Sequence, residues 1–216
     1  MTRKFIYLHG FASSPKSNKA QAFKKKFEMR GLDLIIPELE NGDFKRMTLS
    51  SQMEVLEDCL NSLGNVPCAL IGSSMGGYLA ALASQFRNEI KALYLMAPAF
   101  EFLARWSTKV EVQSSLGKII PPSISVYHYG HDMEVQFETK IFEDAKKWEQ
   151  IRFVRKLPTR IAHGVNDESV PVEVSQRFVE SCPWVELEEL NSDHGLGSHV
   201  NWLTEDCLKF FRALDF

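Results

Sequence analysis

The sequence of 216 residues has no long apolar run, and this absence excludes an ordinary membrane protein. No stretch approaches the roughly eighteen consecutive apolar residues that a bilayer-spanning helix needs. The short apolar run after the basic N-terminal residues ends at His9-Gly10, which is too early for the core of a signal peptide. We therefore expect a soluble protein, with the cytoplasm as its default location.

The chain also has a small net charge and few cysteines. A formal charge of −3 at pH 7 leaves no excess of basic residues for nucleic acid or an anionic membrane. The four cysteines lie far apart without a CxxC spacing, so we expect buried free thiols and no metal site. With 44% hydrophobic residues, the chain can bury a full core, and we expect one domain over residues 1–216.

Strand-like and helix-like segments alternate along the chain. This pattern is typical of an α/β protein with a mostly parallel, doubly wound sheet and helices on both faces. Strands are predicted at 5–8, 32–37, 68–71, 92–96, 160–162 and 185–190. The main helices are predicted from Ser17 to Gly31, over 49–63 and over 198–214.

The pentapeptide Gly72-Ser73-Ser74-Met75-Gly76 follows a buried strand and precedes an alanine-rich helix. In a nucleophile elbow, the serine occupies a strained turn, and small flanking residues let strand and helix approach closely. Gly72 and Gly76 meet this demand. The motif in this setting predicts Ser74 as a nucleophile.

A serine nucleophile needs a base, and the base needs a carboxylate that orients it. Asp167 follows the fifth predicted strand and His194 follows the sixth, in the chain order Ser, Asp, His of an α/β-hydrolase. Both therefore lie at the carboxyl edge of the sheet, where such folds place their sites. A helix-capping role for Asp167, Glu168 as the acid and His199 as the base remain alternatives.

Other polar residues near these loops have weaker assignments. Asp193 is interpreted as a local turn residue beside the base. His128 and His131 belong to the segment 100–158, interpreted below as a cap, and could at most touch substrate. Three serines are interpreted as loop-bracing residues: Ser13, Ser14 and Ser73.

Acyl transfer also needs two N–H groups that stabilise the oxyanion of the tetrahedral intermediate. The amide of Met75, at the start of the helix after the nucleophile, is one predicted donor. The amide of Phe11, in the loop after the first strand, is the other. Gly10 gives that loop freedom, and His9 is interpreted as its structural support.

Between residues 100 and 158 the alternation breaks down. A structureless loop of this length is uncommon in a compact domain. The segment contains a β-like run at 124–127 and an amphipathic run at 142–148. We interpret it as a cap over the site, inserted after the strand that follows the nucleophile helix.

The stretches YLHGFASSPKSNKA at 7–20 and IGSSMGGY at 71–78 resemble the YqiA/YcfP-like family of small bacterial esterases, of the α/β-hydrolase superfamily. The resemblance covers the core up to Ala99 and resumes at Arg160. It implies esterase or thioesterase activity without a metal or organic cofactor. It also implies Ser74, Asp167 and His194 as triad, with Phe11 and Met75 as oxyanion donors.

We therefore expect a serine hydrolase that cleaves carboxylic esters with short to medium acyl groups. Hydrolysis of acyl-CoA or other thioesters, acyl transfer and peptide cleavage are alternative reactions on this fold, and a non-catalytic binding protein is an alternative of another class. A small acyl ester or thioester is the expected partner, and nothing indicates an oligomeric state. Five residues of the segment 100–158 favour an apolar acyl chain: Phe102, Leu103, Trp106, Tyr127 and Phe137.

Overall fold

The structure is a computed structural model that describes residues 3–64, 66–114 and 117–216. Its strands, numbered in chain order, are β1 (Lys4–Leu8), β2 (Leu34–Ile35), β3 (Cys68–Ser73), β4 (Ile90–Met96), β5 (Val112–Ser114), β6 (Gly117–Ile119), β7 (Ser123–His128), β8 (Met133–Glu138), β9 (Thr159–Gly164) and β10 (Val185–Leu190). Its α-helices are α1 (Asn18–Glu28), α2 (Leu49–Leu63), α3 (Met75–Ser84), α4 (Phe102–Val110), α5 (Lys140–Trp148), α6 (Val172–Ser181) and α7 (Val200–Ala213).

Six of these strands form one parallel sheet in the order β10-β9-β4-β3-β1-β2. Strand β2 pairs with one side of β1 and forms one edge of the sheet. On the other side of β1, the strands β3, β4, β9 and β10 follow one another in chain order. The carboxyl ends of all six strands therefore meet at one edge of the sheet. The predicted doubly wound sheet with helices on both sides is confirmed.

Alternation along the strands divides the core into two layers. In β1, Ile6 and Leu8 pack into the layer that contains α2 and α3, whereas Phe5 and Tyr7 pack into the layer that contains α1 and α7. Successive side chains of a strand point to opposite faces, so a sheet buried on both faces needs apolar residues at every position. Burial on both faces thus explains the unbroken apolar run of β1.

The predicted helices and strands differ from the observed ones mainly at their ends. Ser17 caps α1 as predicted, since its side chain accepts a hydrogen bond from the amide of Ala20. The second strand is shorter than the predicted 32–37, because only Leu34 and Ile35 pair with β1 at this edge of the sheet. The last helix begins at Val200, after a short 3₁₀ turn.

The segment 100–158 has structure of its own, between β4 and β9. It consists of α4, the hairpins β5–β6 and β7–β8, and α5. The β-like run is part of β7 and the amphipathic run is part of α5, as predicted. Helix α5 docks on α2 because Asp144 accepts the amide of Ser50 at 2.8 Å and Trp148 Nε1 donates to Ser50 Oγ at 3.0 Å.

All four cysteines are free thiols, as the sequence predicted. Cys68, Cys182 and Cys207 are buried and Cys59 is half-buried. Burial raises the pKa of each of these thiols. Within the described ranges, none of the helices combines the length and the apolar character needed to cross a membrane.

Strand β3 and helix α3 approach so closely that only glycine fits between them. A Cβ on Gly72 would lie 2.5 Å from the carbonyl oxygen of Gly76, and a Cβ on Gly76 would lie 2.5 Å from the carbonyl oxygen of His9. These neighbours are backbone atoms, which cannot move without displacing the helix or β1. The contact therefore sets the position of the turn at Ser74.

We expect Gly72→Ala to lower the free energy of unfolding by at least about 2 kcal/mol, because the added methyl group overpacks a backbone contact. Urea denaturation of the purified variant measures this loss. Gly197→Ala is the matched control, since no atom would lie within 4 Å of its Cβ. Equal stability of the two variants would contradict the close contact.

Candidate active site

Ser74 occupies a strained backbone conformation between β3 and α3. Its φ of 54° and ψ of −117° lie in a region that residues with a side chain rarely adopt. The turn is held by the amide of Ser74, which donates to Met96 O at 2.9 Å, and by the amide of Ala99, which donates to Ser74 O at 3.0 Å. This is the geometry of the predicted nucleophile elbow, and it presents the side chain at the carboxyl edge of the sheet.

The three residues predicted as a triad lie together in a line of hydrogen bonds. His194 Nε2 lies 3.0 Å from Ser74 Oγ, and His194 Nδ1 lies 2.6 Å from Asp167 Oδ2. Asp167 is in the loop after β9, and His194 is in the loop after β10. Three loops at one edge of the sheet thus bring together residues that are up to 120 positions apart in the chain.

The partners of His194 define its tautomer. An ionised carboxylate can only accept hydrogen bonds, so Nδ1 carries the proton and donates it to Asp167. Nε2 is then left with a lone pair and accepts the hydroxyl proton of Ser74. The imidazole is therefore oriented to take a proton from the serine.

Asp167 is fully buried and makes four hydrogen bonds. Oδ2 accepts from His194 and from His163 Nε2, at 2.6 and 3.2 Å, while Oδ1 accepts from the amides of Ser169 and Val170, at 2.8 and 2.7 Å. Burial by itself raises the pKa of this carboxyl group. The hydrogen bonds from His163, His194 and Val170 outweigh burial and hold the pKa well below its usual value.

His163 is a residue of this site that the sequence analysis did not assign. It is fully buried at the end of β9. Its Nε2 lies 2.8 Å from Val170 O, so Nε2 is the donor, and its Nδ1 accepts from Ser175 Oγ at 2.7 Å. His163 therefore links Asp167, through the oxygen that also contacts His194, to the loop before α6 and to Ser175 in that helix.

The alternative acid and base are not in the line of hydrogen bonds. Glu168 is exposed, one residue beyond Asp167. His199 accepts or donates a hydrogen bond at Ser198 Oγ, 2.9 Å away, in the 3₁₀ turn before α7. Asp193 accepts the amide of Leu196 at 3.1 Å, which is the turn role expected for it. The geometry thus favours Asp167 and His194.

The loop after β1 runs directly past Ser74. A Cβ on Gly10 would lie 3.3 Å from the Cβ of Ser74 and 3.9 Å from its Oγ, so a side chain here would crowd the hydroxyl. Within the described part of the chain, the amides of Phe11 and Met75 donate no hydrogen bond. Both amides thus remain available to a ligand beside Ser74.

His9 supports this loop through the hydrogen bonds of its imidazole. It is buried, and its Nε2 accepts the amide of Leu39 at 3.2 Å, so the proton is on Nδ1 and is donated to Gly10 O at 3.0 Å. These contacts fit the supporting position expected for His9.

A cavity of about 430 Å³ opens over Ser74. Its wall is formed largely by polar residues of the sheet edge and of the start of α1, and Tyr129, at the tip of the hairpin β7–β8, lines it from the described part of the segment 100–158. The aromatic residues expected to favour an acyl chain lie elsewhere. Phe102 and Phe137 are buried in the core, and Trp106 packs on the ring of Phe11.

The hairpin β7–β8 is fastened to the core beside this cavity. The amide of Tyr129 donates to Ala12 O at 2.9 Å, and buried His128 Nε2 lies 2.6 Å from Glu40 Oε1. The possible ligand atoms of Glu40, His128 and His131 lie within 4.8 Å of one another. His128 Nδ1 accepts the amide of His131 at 3.1 Å, so Nε2 carries the proton of the hydrogen bond to Glu40, and a cation would have to displace this proton.

The sheet, the elbow and the line of hydrogen bonds define an α/β-hydrolase. Est1E from Butyrivibrio proteoclasticus, solved with bound ferulic acid, is 21% identical and matches 98% of this chain and 89% of its own, with a TM-score of 0.80. Alpha/beta hydrolase domain-containing protein 10 from mouse is 19% identical over 98% of this chain and 90% of its own, with a TM-score of 0.73. The esterase domain of a Rhodothermus marinus protein is 15% identical over 94% of this chain and 84% of its own, with a TM-score of 0.68.

At these identities, the likeness to solved structures establishes the fold. The particular family follows from a match over residues 4–211 to an uncharacterised protein family, UPF0227. The chain belongs to this family. The resemblance to the YqiA/YcfP family, which the stretches 7–20 and 71–78 indicated, is thereby confirmed.

We expect Asp167→Ala to lower the free energy of unfolding by about 2 to 4 kcal/mol near pH 7, because it leaves buried donors without an acceptor. The pKa of this carboxyl is lower in the folded than in the unfolded chain, so its contribution is present above the ordinary value near 3.9 and is lost as the pH falls further. Denaturant titrations at several pH values should therefore show the deficit shrinking in acid.

Glu168→Ala is the matched control for this measurement, because it removes an exposed carboxylate one residue away. Its effect should stay within about 0.5 kcal/mol at every pH. A deficit for Asp167→Ala that does not change with pH would contradict the assigned hydrogen bonds.

Proposed function

We propose that this protein hydrolyses carboxylic esters through an acyl-enzyme intermediate on Ser74. The observation that carries the proposal is the 3.0 Å contact between Ser74 Oγ and the lone pair of His194 Nε2, with Asp167 behind the imidazole. A serine hydroxyl is a weak nucleophile until a neighbouring base takes its proton. This arrangement supplies that base in the right tautomer.

In the first half of the reaction, Ser74 Oγ attacks the carbonyl carbon of the ester while its proton moves to His194 Nε2. The tetrahedral intermediate then collapses as the bond to the alcohol oxygen breaks and His194 donates the proton to that oxygen. The alcohol leaves, and the acyl group stays on Ser74. Asp167 keeps its charge throughout and stabilises the imidazolium.

The second half repeats these steps with water. His194 takes a proton from a water molecule, whose oxygen attacks the acyl carbon, and then returns the proton to Ser74 Oγ as that bond breaks. The carboxylic acid is released. No metal or organic cofactor enters this scheme.

The amides of Phe11 and Met75 are the proposed donors to the oxyanion. Each flanks Ser74, and Met75 lies at the positive end of α3. A donor that is preorganised for an oxyanion contributes about 3 to 4 kcal/mol to the transition state. Gly10 keeps the Phe11 side of this arrangement open, and His9 holds it in place.

The cavity bears on the choice of substrate. Its volume of about 430 Å³ fits a small ester with a short to medium acyl group. The ferulic acid bound to Est1E is a carboxylic acid of this size class. The segment 100–158 is proposed as a cap that shapes one side of this cavity through Tyr129, while residues such as Phe102, Phe137 and Ile141 pack into the core.

We expect a small fluorophosphonate to label the native protein once and Ser74→Ala not at all, because Ser74 lies in the catalytic cavity and is hydrogen-bonded to His194, which Asp167 orients as a base. Intact-mass spectrometry measures the added mass. Ser73→Ala is the matched control, and it should still take up one label. Hydrolysis of 4-nitrophenyl butyrate by Ser74→Ala should fall by at least about 10⁴-fold.

Absence of labelling in the folded native protein would instead support a non-catalytic binding protein. Labelling together with faster hydrolysis of acyl-CoA than of the matched ester would favour the thioesterase. Both reactions use the same acyl-enzyme, so the relative kcat/KM of ester and thioester decides between them.

We expect Asp167→Asn to lower kcat by about 10³- to 10⁴-fold, because an amide favours the wrong tautomer of His194. Steady-state hydrolysis of 4-nitrophenyl butyrate measures the loss. Glu168→Gln, which neutralises the exposed neighbour, should leave kcat within about threefold of the native value. If kcat falls only slightly in Asp167→Asn but strongly in Glu168→Gln, Glu168 is the carboxylate that orients His194.

A further inference from the structure

Lys19 places an ammonium group in the wall of the catalytic cavity. It is the second residue of α1, mostly buried, and its Nζ donates to Ser73 Oγ at 3.1 Å, next to the proposed nucleophile. None of the proposed steps of ester hydrolysis uses it. A lysine in this position needs an explanation, since lysine is seldom buried without a partner.

The ammonium has no ion-pair partner among the residues that the structure describes: no carboxylate oxygen lies within 4.0 Å of Nζ. Burial lowers the pKa of Lys19 to about 8, while the more distant carboxylates of Asp193 and Asp167 act in the opposite direction. A buried cation that is not paired costs free energy. A ligand with a negative charge would offset this cost.

The geometry around Nζ leaves room for such a ligand. An ammonium group has three N–H donors, and Ser73 accepts one of them. Hydroxyl groups of Ser13, Ser17 and Ser169 line the same cavity and can donate to further oxygen atoms. The N-terminus of α1, capped by Ser17, adds a partial positive charge on the same side.

We propose that Lys19 binds a carboxylate of the substrate, so that the preferred esters carry a negative charge beside the scissile bond. The proposal rests on the proposed function and adds the substrate class. Ser74 and His194 act on the ester carbonyl, while Lys19 and the hydroxyl groups bind the second, ionised group. Because Lys19 contacts Ser73 and not Ser74, its role is to position and select the substrate.

The first test is binding without turnover. Isothermal titration of Ser74→Ala compares monomethyl succinate, which has one carboxylate, with dimethyl succinate, its neutral counterpart. We expect the monoanion to bind at least about tenfold more tightly, as one hydrogen-bonded charge pair provides. Equal or undetectable binding of the two ligands would overturn the proposal.

Variants locate the source of this preference. Lys19→Met in the Ser74→Ala background should reduce the ratio of the two affinities to about one, since a thioether side chain of similar length carries no charge. Lys24→Met removes the same charge from the exposed face of α1 and should retain the ratio. If Lys19→Met still binds the monoanion more tightly than the neutral ester, another residue binds the carboxylate, and the proposal is overturned.

The pH dependence gives a test that needs no substitution at Lys19. The groups that face Nζ are Ser73 from β3, Tyr7 from β1, and the carboxylates and imidazole of the loops after β9 and β10: Asp167, Asp193 and His194. With a pKa of about 8, Lys19 is charged below that pH and neutral above it. The preference should therefore fall by about tenfold between pH 7 and 9.5, and it should not change with pH in Lys19→Met.

Turnover by the native protein shows which side of the ester carries the carboxylate. For the acyl side, 4-nitrophenyl hydrogen succinate is compared with 4-nitrophenyl butyrate, and for the alcohol side, 3-acetoxybenzoate is compared with its methyl ester. If kcat/KM for the anionic ester exceeds that for the neutral ester by at least about tenfold in one pair, that pair identifies the side of the ester that carries the carboxylate. Hydrolysis of all four esters without any preference would refute the substrate class and leave the proposed esterase intact, whereas Lys19-dependent binding without turnover would refute the esterase alone.

Discussion

The close contact between β3 and α3 is the constraint on which the site depends. Gly72 and Gly76 let backbone meet backbone, and the chain turns between strand and helix through the strained conformation at Ser74. The strain is held by hydrogen bonds to Met96 and Ala99 on the neighbouring strand and its loop. The hydroxyl of Ser74 is thus held at a defined point of the carboxyl edge of the sheet.

Around this point, the site is assembled from loops that share a single buried carboxylate. Asp167 connects the loop after β9, the start of α6 and, through His194, the loop after β10. His163 and Ser175 continue the same network into the core. The acid is therefore part of the fold as well as of the site, and its four hydrogen bonds keep it ionised in a place that water does not reach.

The sequence predicted the elements of this site that leave a local pattern. Ser74 was identified by its flanking glycines, and the loops of Asp167 and His194 were identified because each follows an apolar strand. Lys19 left no such signal, because it meets Ser73 across 54 positions of the chain. His163 lies only four positions before Asp167, but no recognised motif marks a buried histidine that hydrogen-bonds the acid. The positions of Phe102, Trp106 and Phe137 could not be predicted from the sequence, because composition does not distinguish a core face from a cavity wall.

The attachment of the hairpin β7–β8 has a consequence for how such a protein diversifies. Its turn end reaches the cavity through Tyr129, and the neighbouring His128 fastens that same end to Glu40. Changes in the turn between His128 and Met133 would reshape the mouth of the cavity without altering the sheet, the elbow or the loops of Asp167 and His194. The fold thereby holds Ser74, Asp167 and His194 on loops of the sheet and the rim of the cavity on a separate hairpin, so that the rim can change while the arrangement of these three residues is kept.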